Sequence, residues 1–385
     1  MTGRKYMMAK SNIISFFLIV ALLSGTSCQK EAQQLQIDDK SPLEFYGGLS
    51  ETSTRGATPT NESSIRSSHI GLFAYWEGTD EYFDGADPGR LYLDNREVVY
   101  SSTESGIDYW KCSPAAWWPL GSNLTFFAYA PFMSEMSPVL DFPLRLPSGM
   151  PRGKFVQKTA VKEQVDFCLS APVYDVPKNV GSVPMSLSHA LTKVLFYFNL
   201  DSEKYEGETR QFIVKSLTLN DVVNENAFTF GGSKGYSWDI LPRTATSLRN
   251  TSYSLSLEDG TLSYIPLPYD EDMSSYTGLD KYVCVNGLND GILYLLPQPM
   301  TGASSVTIVV SAYTYNSGAD SWDEIPGDEM DPITILLPEY TVWEPGKTVA
   351  YSASLEGSLP VTFNVSLIPW STNQTDAGQF DASEL

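Results

Sequence analysis

Two residues near the N-terminus could take part in covalent reactions: Cys28 as an acyl acceptor and Arg55 as a protease site. Cys28 follows Gly25–Ser27, and small residues before a cysteine are what a lipoprotein signal peptidase requires before the thiol is acylated. Gly25 occupies the position that is usually leucine. Arg55 precedes Gly56, so a trypsin-like protease would cut between them. The pair predicts lipid attachment at Cys28 followed by removal of residues 29–55.

The residues before Cys28 predict export. Three basic residues precede an apolar run, Ile13–Leu23, which has about half of the ~20 residues that a membrane-spanning helix needs. Residues 1–27 are therefore interpreted as a bacterial signal peptide. We expect acyl chains such as palmitate on Cys28 to hold the chain at the outer membrane, because more than one chain anchors a protein stably. Ordinary cleavage that leaves an unmodified cysteine is the alternative.

An alternating strand pattern lies between the two reactive residues, in segment 28–55. Leu43, Phe45 and Leu49 alternate with residues that are polar, aromatic or small, which predicts a strand with one apolar face. That face could fill a groove in the domain that follows, and a cut after Arg55 would remove the strand. A permanent first strand is the alternative, and Arg66 is a rival cleavage site.

Charge and length limit the classes of function. The net charge of -21 becomes -24 when the signal peptide takes Arg4, Lys5 and Lys10 with it. Such an acidic surface repels phosphate groups, so nucleic acid is not expected as a partner. A chain of 385 residues exceeds one average domain, which favours two domains.

The remaining reactive side chains do not form a known catalytic motif. Cys112, Cys168 and Cys284 have no paired spacing, and only His69 and His189 accompany them. We therefore expect three buried thiols; a single disulfide between two of them is the alternative. We expect no metal site and no cofactor. His189 lies in a strand-like segment and is interpreted as structural. No nucleophile, phosphate-binding or zinc-protease motif is present in the sequence, which predicts a protein without catalytic function.

Clusters of acidic residues at 80–87 and 270–272 are interpreted as solvated loops. Calcium binding and a glycosidase carboxylate pair are the alternatives that such clusters allow. Trp117 and Trp118 are expected to pack in or beside a core, since they precede a buried-looking strand.

Short apolar alternations broken by Gly, Pro, Asn and Asp predict an all-β fold of the sandwich type. A series of turn residues near 177–186 predicts a seam between an N-terminal sandwich, 56–181, and a C-terminal sandwich, 182–370, followed by a polar tail, 371–385. The clearest strand candidates are Leu124–Ala130, Val194–Leu200, Phe212–Leu219, Ile292–Leu296, Val306–Tyr315, Ile333–Leu337, Val349–Leu355 and Val361–Ile368.

Several short segments in a fixed order carry a family resemblance. They are Leu43–Phe45 with Thr54–Arg55, Trp117–Pro119 running into Leu124–Pro131, Ser188–Val194, Trp343–Lys347 and Pro369–Trp370. With the lipoprotein signal before them, they make nearly the whole chain similar to the fimbrillin (Mfa-like) family, the type V pilus subunits of anaerobic Gram-negative bacteria. The resemblance implies two tandem transthyretin-like β-sandwiches that polymerise by strand exchange.

The resemblance also implies that the exchanged strand comes from the C-terminal region of a neighbouring subunit. The candidate donor strand carries Val361, Phe363, Val365 and Leu367 on one predicted face. The expected partners are other fimbrial subunits, an arginine-specific protease and, through lipid, the outer membrane. Shaft, tip and anchor subunits all fit this sequence, and it names no adhesive ligand.

A surface glycan-binding lipoprotein is the alternative function. It would present two or three exposed aromatic side chains as a stacking platform for sugar rings. A pilus subunit would instead have a removable first strand and affinity for its own kind.

Overall fold

Strands form most of the chain, which confirms the all-β prediction. The computed structural model describes residues 37–49, 62–76, 90–120, 122–134, 140–141, 152–200, 210–231, 235–242, 250–268, 278–287, 289–316, 318–319, 321–355 and 361–370. Cys28, Arg55, Gly56, the acidic clusters at 80–87 and 270–272 and the predicted tail 371–385 lie outside these ranges. Among the described residues, no helix is both long and apolar enough to span a bilayer.

The first half of the described chain has one short helix, α1 (Glu62–Ser68), among its strands. The strands are β1 (Ile37–Pro42), β2 (Glu44–Leu49), β3 (Ile70–Trp76), β4 (Arg90–Ser102), β5 (Asp108–Ser113), β6 (Trp117–Pro119), β7 (Leu124–Ala130), β8 (Leu140–Asp141), β9 (Arg152–Val156), β10 (Cys168–Ser170), β11 (Val173–Val176) and β12 (Ser182–His189).

The second half continues with strands and with short 3-10 turns such as Gly278–Lys281 and Asn289–Gly291. The strands are β13 (Thr192–Leu200), β14 (Gln211–Val222), β15 (Glu225–Phe230), β16 (Tyr236–Trp238), β17 (Thr251–Ser256), β18 (Val283–Cys284), β19 (Leu293–Leu295), β20 (Ser305–Asn316), β21 (Ser321–Glu329), β22 (Ile333–Leu336), β23 (Lys347–Leu355) and β24 (Asn364–Pro369). Each predicted strand candidate overlaps one of these strands.

An eight-stranded sheet contains β2. Its order is β10-β12-β2-β5-β4-β3-β7-β11, and β10 also pairs with β7. This last pairing joins β10, at one end of the order, to β7, the strand next to the other end, so the seven strands from β10 to β7 close into a ring. β11 and β10 share one edge of β7, β11 along Leu124–Phe126 and β10 along Tyr129–Ala130.

Two further sheets face each other in the C-terminal half. One has the order β18-β13-β23-β24, with β19 also on β13, and the other has the order β17-β14-β20-β21, with β22 also on β20. Side chains from both sheets meet in one cluster, the C-terminal core, which includes Phe196, Leu217, Ile308, Tyr351 and Phe363. Two sheets that enclose a shared apolar layer form a sandwich.

A second cluster, the junction core, joins side chains from the two halves of the chain. Phe73 of β3 and Phe127 of β7 pack in it with Leu195 of β13, Ala350 of β23 and Trp370. β3, β7 and β13 are buried at every position, because their opposite faces also pack on apolar layers. Continuous apolar runs are typical of strands that are covered on both faces.

The predicted boundary at 181/182 falls at the start of β12. This strand pairs with β2 and β10 of the eight-stranded sheet, and β13 begins the next sheet only three residues after β12 ends. The division into two transthyretin-like domains stays a prediction.

Candidate assembly site

β2 is paired along both of its edges in the closed sheet. It runs parallel to β12, from Glu44 opposite Ser182 to Leu49 opposite Leu187. On its other edge it runs antiparallel to β5, where Glu44 lies opposite Lys111 and Phe45 opposite Trp110. Removal of β2 would leave the backbone groups of β12 and β5 that face it without their partners.

The apolar side chains of this segment lie in a core. Leu43 is 1% exposed and Phe45 is 0% exposed, whereas Tyr46 is 51% exposed. The Phe45 ring contacts the edge of Phe126 on β7, a strand that does not neighbour β2, at 5.4 Å between ring centroids. The predicted alternation therefore holds for Leu43, Phe45 and Tyr46, while the side chain of Leu49 lies outside the described residues.

Gly47 sets the path of the second half of β2. Its φ is +108°, and a Cβ built on it would lie 2.2 Å from the carbonyl oxygen of Met185. Glycine tolerates both the positive φ and the close approach of the neighbouring strand. The indole Nε1 of Trp110 donates a hydrogen bond of 3.0 Å to the Gly47 carbonyl. Two successive glycines inside a strand pattern, Gly47 and Gly48, are the sequence signal for such an approach.

The solvent side of this half of β2 borders a surface cavity of about 390 Å³. Tyr46, Gly47 and Gly48 line it together with Ala171 and Pro172, which connect β10 to β11, and with Val173, the first residue of β11. One side of β2 thus packs in a core and the other side contributes to an open depression.

A strand that the sequence analysis did not predict precedes β2. β1 pairs antiparallel with β6, with Ile37 opposite Pro119 and Asp38 opposite Trp118. At the end of β1, the backbone N–H of Leu43 donates 2.8 Å to the carbonyl of Ala116. The segment expected to leave after cleavage therefore holds two paired strands.

The rival cleavage site, Arg66, lies in a helix and contacts residues of other elements. Arg66 lies in the last turn of α1 and forms an ion pair of 3.2 Å with Asp108. Its guanidinium also lies 4.4 Å from the centroid of the Tyr100 ring. Exposed loop tips are the preferred sites of proteolysis, and Arg66 is not in one.

The closing strand β24 has a different environment. It pairs with β23 from Ser352 opposite Asn364 to Lys347 opposite Pro369, and it ends the strand order of its sheet. Phe363, just before it, is 6% exposed in the C-terminal core, and Val361 and Val365 pack partly against that core.

Leu367 departs from the predicted apolar face, since it is 56% exposed. It shares a face with Phe363 and Val365 by the two-residue period, but it lies beyond the part of the strand that covers the C-terminal core. Ile368 and Trp370 are instead buried in the junction core. The closing segment therefore contacts both cores.

The predicted structural histidine, His189, is deeply buried. Its Nδ1 lies 3.1 Å from Asp166 Oδ1 and 3.6 Å from Cys168 Sγ, and its ring stacks on Trp370 with 4.3 Å between centroids. His69 is half-buried, with its Nδ1 2.7 Å from Glu97 Oε1. Sequence reasoning did not foresee that Asp166 and Cys168 would meet His189, because no motif links the three.

Cys112, Cys168 and Cys284 are buried and are not joined in disulfides, as the favoured interpretation predicts. Burial raises the pKa of Cys112 to about 12 and that of Cys284 to about 11. Neutral thiols of this kind are poor nucleophiles, because the thiolate is the reactive form.

The tryptophans do not form an exposed platform in the described part of the chain. Trp118 is 1% exposed and Trp117 is half-buried, in agreement with the predicted core or rim packing. Among the tryptophans whose side chains the structure describes, none is exposed. The glycan-binding alternative therefore lacks tryptophans for sugar stacking within these residues.

Comparisons with known proteins agree with this architecture. A family model described as fimbrillin-like matches residues 54–370. A fimbrial protein from Bacteroides vulgatus ATCC 8482 has a similar structure, with a TM-score of 0.59 and 18% identity over 83% of this chain and 99% of that chain. A fimbrilin from Porphyromonas gingivalis W83 aligns with a TM-score of 0.35 and 10% identity over 87% of this chain and 99% of that chain. No curated protein sequence matches the chain significantly.

Proposed function

Because this chain belongs to the fimbrillin-like family, we propose that it is a structural or adhesive subunit of a cell-surface fimbria, a type V pilus, and has no catalytic role. The observation that carries the proposal is the position of β2, which completes a closed sheet from a segment near the N-terminus. Such a strand can stabilise a precursor and then give its place to a strand of another subunit. Binding by strand addition combines main-chain hydrogen bonds with pockets for alternate side chains.

The proposed trigger is a cut between Arg55 and Gly56 by an arginine-specific protease. Loss of residues 29–55 would withdraw β1 and β2 together. The backbone of Ser182–Leu187 would then be unpaired on one side, and the space of Leu43 and Phe45 would be open. Each large apolar side chain that refills this space would contribute about 1.5–3 kcal/mol, with the strand hydrogen bonds in addition.

The proposed donor is the closing segment of a neighbouring subunit, with Val361, Phe363, Val365 and Leu367 as the inserted side chains. Its edge position in the sheet supports this choice, because an edge strand is released by breaking the pairing with one neighbour only. The exposed Leu367 adds an apolar side chain that has no core position in the isolated subunit.

Export and anchoring complete the proposal. Acyl chains on Cys28 would hold the precursor at the outer membrane until the cut after Arg55 releases the subunit into the fimbria. The proposal also includes two transthyretin-like domains, 56–181 and 182–370, and the sandwich of the C-terminal half, which begins with β13, favours a second domain. The partners are then other fimbrial subunits, of this chain or of related chains.

The decisive experiment treats the purified precursor, residues 29–385, briefly with trypsin and separates the products under mild detergent conditions. We expect ladders of oligomers from the wild type and from Arg66→Ala, but only monomer from Arg55→Ala. The two arginine variants form a matched pair, because each removes one basic residue from the same region. Monomer alone, after mass spectrometry confirms cleavage at Arg55, would refute strand exchange.

A further inference from the structure

Three buried side chains with metal-binding chemistry meet between β10 and β12. Cys168 begins β10, His189 ends β12, and the two residues lie opposite each other in the strand pairing. Asp166 lies two residues before Cys168. The side chains of His189 and Asp166 are 2% and 0% exposed, and Cys168 is 0% exposed.

The distances among the three ligand atoms suit one metal ion. Asp166 Oδ1 lies 3.1 Å and Cys168 Sγ lies 3.6 Å from His189 Nδ1, and the three ligand atoms lie within 4.8 Å of one another. In a tetrahedral zinc site, bonds of about 2.0–2.1 Å to N or O and about 2.3 Å to S place neighbouring ligands about 3.3–3.6 Å apart. Small side-chain shifts would therefore bring all three ligands to bonding distance around a common centre.

The charges of the three ligands also fit a divalent cation. A thiolate, a carboxylate and a neutral imidazole together carry two negative charges, which a divalent ion cancels. This balance matters in a buried site, because an uncompensated charge in an apolar environment is costly. Lys193, which is 8% exposed and interacts electrostatically with Asp166, can contribute at most one positive charge.

The side chains around the cluster are polar enough to support bound metal. Tyr294 Oη is buried and has no hydrogen-bond partner among the described residues. Tyr294 interacts electrostatically with Asp166 and Cys168, and its phenol O–H can donate a hydrogen bond. His189 Nε2 also lacks a partner within the described chain, so hydrogen bonds to Asp166 and Cys168 do not satisfy the imidazole.

We propose that Asp166, Cys168 and His189 bind one zinc ion as a structural site. Zinc with three protein ligands keeps a fourth position for water, and a water molecule held by Tyr294 would occupy it here. The ion would connect β10 to β12 at the place where β10 closes the eight-stranded ring onto β7. Through the stacking of His189 on Trp370, it would also fix the end of the closing segment.

The site is enclosed, so the test loads the metal during folding. The precursor, residues 29–385, which keeps β2 beside β12, is refolded with zinc or with a chelator, desalted, and analysed for bound metal and thermal unfolding. We expect about one zinc ion per chain and a higher unfolding temperature with zinc. Cys168→Ser and Asp166→Asn should lose at least tenfold in zinc affinity, whereas Cys112→Ser, a matched buried thiol, should keep the ion.

Refolding with cobalt tests directly whether the Cys168 thiolate is a ligand. Cobalt bound by the Cys168 thiolate produces a ligand-to-metal charge-transfer band in the near ultraviolet, and this band should be absent in Cys168→Ser. Failure of the wild type to retain either metal would overturn the proposal and leave a hydrogen-bonded trio. Equal retention by wild type and Cys168→Ser would overturn it as well. Neither result bears on strand exchange, which the protease experiment tests separately.

Discussion

Two strands near the opposite ends of the described chain, β2 and β24, have six residues each but very different environments. β2 is paired on both edges and buries Phe45 completely, whereas β24 pairs with β23 at the end of its sheet and exposes more than half of Leu367. The strand near the N-terminus is thus the better held of the two. In the proposed assembly, this difference keeps the precursor closed until a covalent cut frees β2.

The comparison also explains why cleavage is needed at all. With two paired edges and a buried aromatic anchor, β2 would not leave at a useful rate while it is tethered to the rest of the chain. After a cut at Arg55, the strand becomes a separate peptide, and its rebinding depends on its concentration. The free energy that holds β2 in place then becomes available to a competing strand.

The largest effect is expected from truncation of the anchor of β2. Phe45→Ala should lower the free energy of unfolding of the precursor by about 3–5 kcal/mol, because it removes a fully buried ring that packs on Phe126. After proteolysis the variant and the wild type should unfold alike, since residue 45 has left both chains. Urea unfolding before and after trypsin measures both quantities.

Tyr46→Ala is the control for this prediction, because its ring is half-exposed on the same strand. It should change stability by less than about 1 kcal/mol in either form. If Phe45→Ala remained less stable than the wild type after the cut, β2 would still be in the subunit. The difference between β2 and β24 would then not explain assembly.

A smaller effect is expected where β2 passes β12. Gly47→Ala would force a side chain into a positive φ and against the Met185 carbonyl, at a cost of about 1–3 kcal/mol. Gly106→Ala is the control, because Gly106 also has a positive φ, +79°, but has open space where a Cβ would lie. Its cost should be near the strain of the dihedral alone, about 1 kcal/mol.

Thermal unfolding of the two glycine variants separates the close approach from the backbone strain. Equal losses would mean that β12 yields to the added methyl group, so that β2 is held less firmly than its pairing suggests. A larger loss of thermal stability in Gly47→Ala than in Gly106→Ala would show that the close contact between Gly47 and Met185 contributes to holding β2 in the sheet.

Local patterns were sufficient to predict the strands but not their partners. Alternation and turn residues predicted β7 over Leu124–Ala130 to the residue, and they identified the buried faces of Leu43 and Phe45. The parallel pairing of Glu44–Leu49 with Ser182–Leu187 joins segments that are far apart in the chain, and a two-residue period contains no information about which segments meet. β1 was not predicted for the same reason, because it pairs with β6, a short strand far from it in the sequence.

The exposure of Leu367 and the meeting of Asp166, Cys168 and His189 could not be predicted for the same reason: both depend on which segments pack together. The period assigns Leu367 to the face of Phe363, but where a core ends depends on how long the opposing sheet is. Asp166, Cys168 and His189 meet only because β10 and β12 pair with Cys168 opposite His189. A sequence without a ligand motif could not reveal that register.

The smallest effect on stability, and the sharpest test of the role of β24, is expected at Leu367. Leu367→Asp should change the unfolding free energy of the monomer by less than about 1 kcal/mol, because the side chain is already largely exposed. If β24 is the donor, the same aspartate would enter the apolar space left by β2, where an unpaired charge is costly. The oligomer ladder after trypsin should then shorten to monomer and dimer.

Thr362→Asp is the matched control for Leu367→Asp, because it adds the same charge to the opposite, solvent-facing side of the closing segment. It should leave both stability and ladder length unchanged. Ladders of equal length from Leu367→Asp and wild type would remove β24 as the donor, and the inserted strand would then have to come from a segment other than Val361–Leu367. The difference between the two strands would still explain how the precursor stays closed, but not what replaces β2.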